Sequence, residues 1–329
     1  VTSGVLASTD PALQSSVATG LEQVETRLRE VVRSSHPLLS ESASHLVTAG
    51  GKRFRPLLTL LAAHLGDPTR PEVVDAAVVV ELTHLATLYH DDVMDEAPVR
   101  RGAASANTRW TNTVAILTGD YLFARASDLT AGLGTQATHL QSQTFARLVE
   151  GQIAETAGPS EGQDPVAHHL QVLADKTGSL IATSARLGAL MAGAPAEVVD
   201  KVATYGELYG VAFQLSDDLI DIASDPEQSG KTPGTDLREG VATLPVLLVR
   251  QGIDEESESL ATLLEGDLSG DAELAEALRR LRAHPAMAQA QAILQDHAER
   301  ARVVAATLPP SAAREALLVL TDYVLARTG

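Results

Sequence analysis

Two Asp-Asp-x-x-Asp clusters, Asp91-Asp92-Asp95 and Asp217-Asp218-Asp221, are the residues best suited to chemistry. On a helix, positions i and i+4 share a face. Asp91 and Asp95 therefore point one way, with Asp92 turned about 100° aside. Asp217 and Asp221 repeat the arrangement, with Asp218 aside. Like charges at this spacing cost roughly 0.2–0.5 kcal/mol per pair, so a cation should compensate them. Hard oxygen donors with no His or Cys in the motif suit Mg²⁺, which takes one or two carboxylates and completes its shell with water and phosphate oxygens. One such cluster could be a solvated helix face. Two, flanked by Leu85, Leu88, Val93 and Met94 and by Phe213, Leu215, Leu219 and Ile220, belong at the edge of a core. Together they would hold a metal-bound diphosphate.

The chain around them is acidic, with a net charge of −18 over 329 residues. Nucleic acid is excluded as a partner on that balance, and an anionic membrane surface would repel the protein. Against this background the basic groups Lys52-Arg53-Arg55 and Arg100-Arg101 point to an anionic ligand, with Arg53 itself reading as a surface residue. There is no cysteine, which excludes disulfides and Cys-ligated metals and fits a reducing, cytoplasmic setting. Val1 to Gly20 lacks the pattern of a signal peptide, and no apolar run is long enough to predict a transmembrane segment.

Aromatic residues are only 3% of the chain, so Leu, Val and Ala must fill the core, which favours helix on helix. Residues 1–16 read as a flexible arm. Helical periodicity runs from Ser16 to Val32, from near Pro56 to Leu65, from Pro71 to about Glu96, and onward through 112–131, 136–156, 166–192 and 196–223. Shorter helical segments follow to the C-terminus. Residues 98–104 read as a loop. Ser224 to Gly240, rich in Gly and Pro, is too long for a simple connection and reads as a flap. The expectation is an all-α chain, with 17–329 as a single large antiparallel helical bundle.

The motifs occur in a recognisable order. They are Gly50-Gly51-Lys52-Arg53-Phe54-Arg55-Pro56, Glu81-Leu82-Thr83-His84, His90-Asp91-Asp92-Val93-Met94-Asp95-Glu96 and Arg100-Arg101-Gly102. Gly119-Asp120-Tyr121-Leu122, Lys176-Thr177, Phe213-Gln214 with Asp217-Asp218, and Gly230-Lys231 with Asp236-Leu237 follow. In this the chain resembles the trans-isoprenyl diphosphate synthases, or polyprenyl synthetases. The resemblance implies the isoprenoid synthase fold with a central hydrophobic cavity, a homodimer, and two substrates, isopentenyl diphosphate and an allylic diphosphate. It implies three Mg²⁺ per active site, held through Asp91, Asp95 and Asp217, with Asp92, Asp218 and Asp221 completing the catalytic acids. Lys52, Arg55, His84 and Arg101 would hold isopentenyl diphosphate without metal. Arg100, Lys176, Thr177, Gln214 and Lys231 would contact the allylic diphosphate, Lys176 and Lys231 also assisting catalysis.

One departure stands at Val241, where many members of that family place a Lys after the Gly. In the family the product grows down a tunnel lined by residues upstream of the first acid. Here that stripe is Ala86, Thr83 and Val79, spanning about 10 Å of helix. Short-chain members carry a bulky aromatic near its top. Ala86 leaves it open, so a long-chain product is expected, unless Tyr121, Leu122 or Phe123 of a neighbouring helix closes it. Two rivals are a class I terpene cyclase, which would not need Lys52 and Arg55, and a non-catalytic subunit, which would have lost acids from one motif.

Overall fold

The structure, a computed structural model, describes residues 10–223 and 233–327. Most of the expected flap, Lys231 included, lies outside the described residues.

The first helix, α1 (Pro11–Val31), begins earlier than periodicity suggests. Asp10 is the reason: its carboxylate accepts the N–H groups of Ala12 and Leu13 at 3.0 Å, and Pro11 occupies the first turn where no N–H is needed. Then come α2 (Pro37–Thr48), α3 (Phe54–Ala63) and α4 (Glu72–Met94). The chain continues through α5 (Ala106–Arg109), α6 (Asn112–Leu133), α7 (Thr135–Ala157), α8 (Pro165–Leu173), a π-helical turn at Ala174–Gly178, α9 (Ser179–Met191) and α10 (Ala196–Ala223). The last six are α11 (Thr235–Arg238), α12 (Leu244–Gln251), α13 (Glu255–Leu264), α14 (Asp271–Ala283), α15 (Pro285–Ala306) and α16 (Ala312–Ala326).

Contacts cluster into two compact units. One comprises residues 1–147, 179–206 and 304–319, the other 148–178, 207–303 and 320–329. In the first, α4 is the central element, packed on α3, α6 and α9. It is long and apolar enough to cross a membrane, but 67% of its apolar window is buried inside the protein, as in a core helix. Tyr89 ties it to α2: its hydroxyl donates to the Ser42 carbonyl and accepts from Leu46 N–H at 3.3 Å. In the second unit, Leu237, Val246, Val249, Leu260, Leu264, Leu274 and Leu281 form the core of the C-terminal helices.

Residues 98–104 are more ordered than a loop. Val99–Arg100 and Ala103–Ala104 form a short antiparallel ribbon, with Val99 opposite Ala104 and Arg100 opposite Ala103. Strands this short leave no alternation to read. The turn residues Arg101 and Gly102 both have positive φ, 54° and 76°, as a tight type I′ hairpin requires.

Gly188 of α9 lies against the backbone of α3, where an added Cβ would drive into the Thr59 carbonyl. Gly188→Ala should therefore destabilise the protein by about 1–3 kcal/mol, measured by denaturant unfolding.

Candidate active site

The expected site residues fall into two groups, one in each unit. In the first, Glu81 is buried on α4 at 1% exposure. A buried carboxylate needs a partner, and guanidinium groups converge on it. Arg53 Nη1 donates to Glu81 Oε1 at 2.7 Å, its Nε to Glu25, and its Nη2 to the Val47 carbonyl at 2.9 Å. Arg53 is thus a buried ion-pair residue, not a surface one. Burial opposes its charge, but the bonds to Glu25 and the field of Glu81 win and raise its pKa.

Arg101 Nη2 lies 3.6 Å from Glu81, and its Nη1 donates to the Gly50 carbonyl and to the Leu46 carbonyl at 3.3 Å. Gly51 makes this approach possible, since a Cβ there would meet Arg101 Nη1 at 2.8 Å. Arg55 stands in the same field. Burial lowers its pKa to about 10, with Glu81 opposing and Arg101 adding, so it remains a cation at neutral pH. Its buried Nε has no hydrogen-bond partner. His84 is held well below the ordinary imidazole value by burial and then by Arg55, Arg101, Arg53 and Arg100, which keeps it neutral. Lys52 is exposed. The positive charge of this cluster exceeds what Glu81 and Glu25 balance, so it is suited to an anion.

The first acids sit at the end of the same helix. Asp91 is half-buried, Asp92 is buried and Asp95 is exposed. Asp95 is the C-cap residue of α4, its N–H bonded to the Asp91 carbonyl at 2.8 Å. Asp92 Oδ1 accepts from Arg100 Nε at 2.5 Å, while its buried Oδ2 has no partner. Burial pushes the Asp92 pKa up, with Arg100 opposing.

In the second unit, Asp217, Asp218 and Asp221 lie on α10. Arg327 donates to Asp217 and lies over the Phe213 ring, 5.0 Å from its centroid. Gln214 Nε2 donates to Asp218 Oδ1 at 3.1 Å, and His169 Nε2 is 3.6 Å from the other oxygen. The Asp221 carboxylate accepts the N–H groups of Thr235 and Asp236, both at 3.2 Å, and so caps α11. Thr177 Oγ1 donates to Gln214 Oε1 at 3.4 Å, and Lys176, in the π turn, pairs with Glu155. Asp236 is pushed up to about 7 by burial and then by Asp221, Asp218, Glu239 and Asp217. Val241 is exposed. Arg327 and His169 carry no motif in the sequence; only contacts through the fold bring them to the acids.

Among the described residues no three His, Asp or Glu side chains gather closely enough to hold a metal alone. Magnesium does not require that, since substrate oxygens and water complete its shell. The all-oxygen donor set of Asp91, Asp95 and Asp217, none of them fully buried, fits such an ion.

Comparison with known proteins agrees with this geometry. Residues 36–281 match the model of the family described as polyprenyl synthetase. A nonaprenyl diphosphate synthase of Mycobacterium tuberculosis is 48% identical over 97% of this chain and 96% of its own length. The crystal structure of a geranylgeranyl pyrophosphate synthase from Corynebacterium glutamicum, complexed with calcium and isoprenyl diphosphate, superposes with a TM-score of 0.89. It is 43% identical, covering 97% of this chain and 98% of that one. A decaprenyl diphosphate synthase from Rhodobacter capsulatus gives 0.87 at 34% identity, covering 97% and 99%. The all-α fold described above is the isoprenoid synthase fold of these enzymes.

Arg53→Met should cost about 3–5 kcal/mol by denaturant unfolding, because it strands buried Glu81, whereas Lys52→Met should stay within about 0.5 kcal/mol. The Asp236 carboxyl binds its proton more tightly folded than unfolded. Its contribution is full below the ordinary carboxylate range and is lost as pH rises through about 7. Metal-free protein should therefore lose stability between about pH 4 and pH 7, and Asp236→Asn should flatten that loss in thermal melts across the range.

Proposed function

This chain belongs to the polyprenyl synthetase family, and from that membership we propose how its residues divide the work of building a polyprenyl diphosphate. It is a prenyltransferase that joins isopentenyl diphosphate to an allylic diphosphate, head to tail, and makes geranylgeranyl or longer diphosphates. A divalent metal serves the reaction. We take it to be Mg²⁺, three ions per site, with Asp91, Asp95 and Asp217 as ligands. When bound it supplies Lewis-acid neutralisation of the leaving diphosphate.

The allylic C–O bond ionises to a delocalised cation, the double bond of isopentenyl diphosphate attacks it, and loss of a proton to the departing diphosphate restores the alkene. Asp92 holds the Nε of Arg100 and leaves the terminal nitrogens for the allylic diphosphate. Lys176, Thr177, Gln214 and Lys231 join it there, with Asp218 and Asp221 orienting their neighbours. Lys52, Arg55, His84 and Arg101 bind isopentenyl diphosphate. This substrate keeps its diphosphate, so cations suffice without metal. Neutral His84 donates one N–H to phosphate and adds no charge of its own.

The observation that carries this reading is the pairing of Arg53 and Arg101 with Glu81, with Arg55 in the same field, on the helix that carries Asp91 and Asp92. Ala86, Thr83 and Val79 are buried, and none of them is a bulky aromatic that would stop a product early. In this reading 17–329 acts as one catalytic domain and two copies pair as a homodimer.

Purified protein given farnesyl diphosphate, isopentenyl diphosphate and Mg²⁺ should elongate the primer, and a chelator should stop it. A cyclic hydrocarbon, or no turnover with metal present, would sink the proposal. Asp91→Ala should lower kcat by at least about 100-fold. Ala86→Phe should shorten the products on reversed-phase chromatography.

A further inference from the structure

A stripe of small residues below Asp91 does not say where a growing chain stops. The helix facing it is more informative. Gln141 of α7 is 6% exposed, and its Nε2 donates to Thr83 Oγ1 at 2.6 Å. The proton of Thr83 is already given to the Val79 carbonyl at 2.8 Å. Its hydroxyl can therefore only accept from Gln141, which fixes the amide with nitrogen toward Thr83. The consequence is that Gln141 Oε1 is buried with no hydrogen-bond partner. Three residues on, and on the same face of α7, Thr144 Oγ1 meets Thr183 Oγ1 of α9 at 2.6 Å. A polar pair thus reaches from α7 toward α4 and α9, in a core built mostly of Val, Leu and Ala. An apolar side chain at 141 would avoid the unmet acceptor. On α6, Tyr121 is turned to the Arg33 carbonyl, to which it donates at 2.7 Å, while Phe123 packs on Phe145 of α7, one turn from Gln141, with centroids 4.0 Å apart.

We propose that Gln141 sets product length, its clasp on Thr83 forming the floor that the prenyl chain meets after passing Ala86. This rests on the reading that Ala86, Thr83 and Val79 line the product tunnel. Thr83 lies about 12 Å of helix below Asp91. A chain that grows past it must push the amide aside and leave it against hydrocarbon without a replacement partner, while the Thr83 hydroxyl keeps only its bond to the Val79 carbonyl. Elongation therefore slows at that length. One hydrogen bond makes this a bias in the product distribution rather than an absolute stop.

The test uses the full chain with farnesyl diphosphate, isopentenyl diphosphate and Mg²⁺, and compares product length for Gln141→Ala and Gln141→Ser. Both should move the main product to a longer chain by at least one isoprene unit. The rate of the first condensation should stay within about twofold, since the reacting carbons are far from residue 141. Thr83→Val keeps the volume but removes the acceptor, and should give a smaller shift in the same direction. Unchanged product length in whichever of the two Gln141 variants folds overturns the clasp. If Ala86→Phe still shortens the product in that case, the tunnel is where we place it and only its floor is wrong. If Ala86→Phe also leaves length unchanged, the tunnel reading falls with it.

Discussion

Glu81 is buried on an apolar helix, where a carboxylate must find a partner. Arg53 and Arg101 supply it, and in doing so they bind the pieces of the first unit together. Arg53 heads α3 and also reaches α1 through Glu25. Arg101 sits in the hairpin turn and grips the Gly50 carbonyl. One acid thus fixes the glycine turn, the start of α3 and the ribbon relative to α4. It also explains the fate of the remaining cations. With Glu81 shared by Arg53 and Arg101, Arg55 is left with a buried unpartnered Nε, and His84 cannot afford a proton.

The helices were legible because they are long and periodic. Boundaries followed local chemistry that periodicity does not register. Asp10-Pro11 starts α1 well before the apolar stripe becomes regular. α4 stops at Met94, so Asp95 is a cap residue rather than one more helical turn, although its backbone dihedrals keep it close to the helical path. The hairpin at 99–104 escaped because its signal lies in the turn, Arg101-Gly102, and not in its strands. Arg53 misled for a related reason: composition marks Arg as a surface residue, and only its ion pairs with half-buried Glu25 and buried Glu81 reverse that.

For the chemistry, the acids and the basic clusters stand out by type and spacing, and the stripe at Ala86, Thr83 and Val79 is implied by the family resemblance. Their partners could not. Asp92 with Arg100 are near in sequence, but Arg327 with Asp217 and Gln141 with Thr83 are joined only by the fold. Nor does the sequence reveal that Asp236 shares a field with the other acids strongly enough to hold its proton near neutrality.

The unbroken α4 places a counter-ion, a neutral imidazole and two acids on a single rod, at Glu81, His84, Asp91 and Asp92. A rod with fixed rise has a fixed count. One residue inserted between Glu81 and Asp91 would rotate the acids by about 100° relative to the arginine anchor. The gene can therefore drift by substitution along this stretch, exchanging one side chain for another while the rod keeps its count. It cannot drift by insertion or deletion there without turning Asp91 and Asp92 away from the arginines that pair with Glu81.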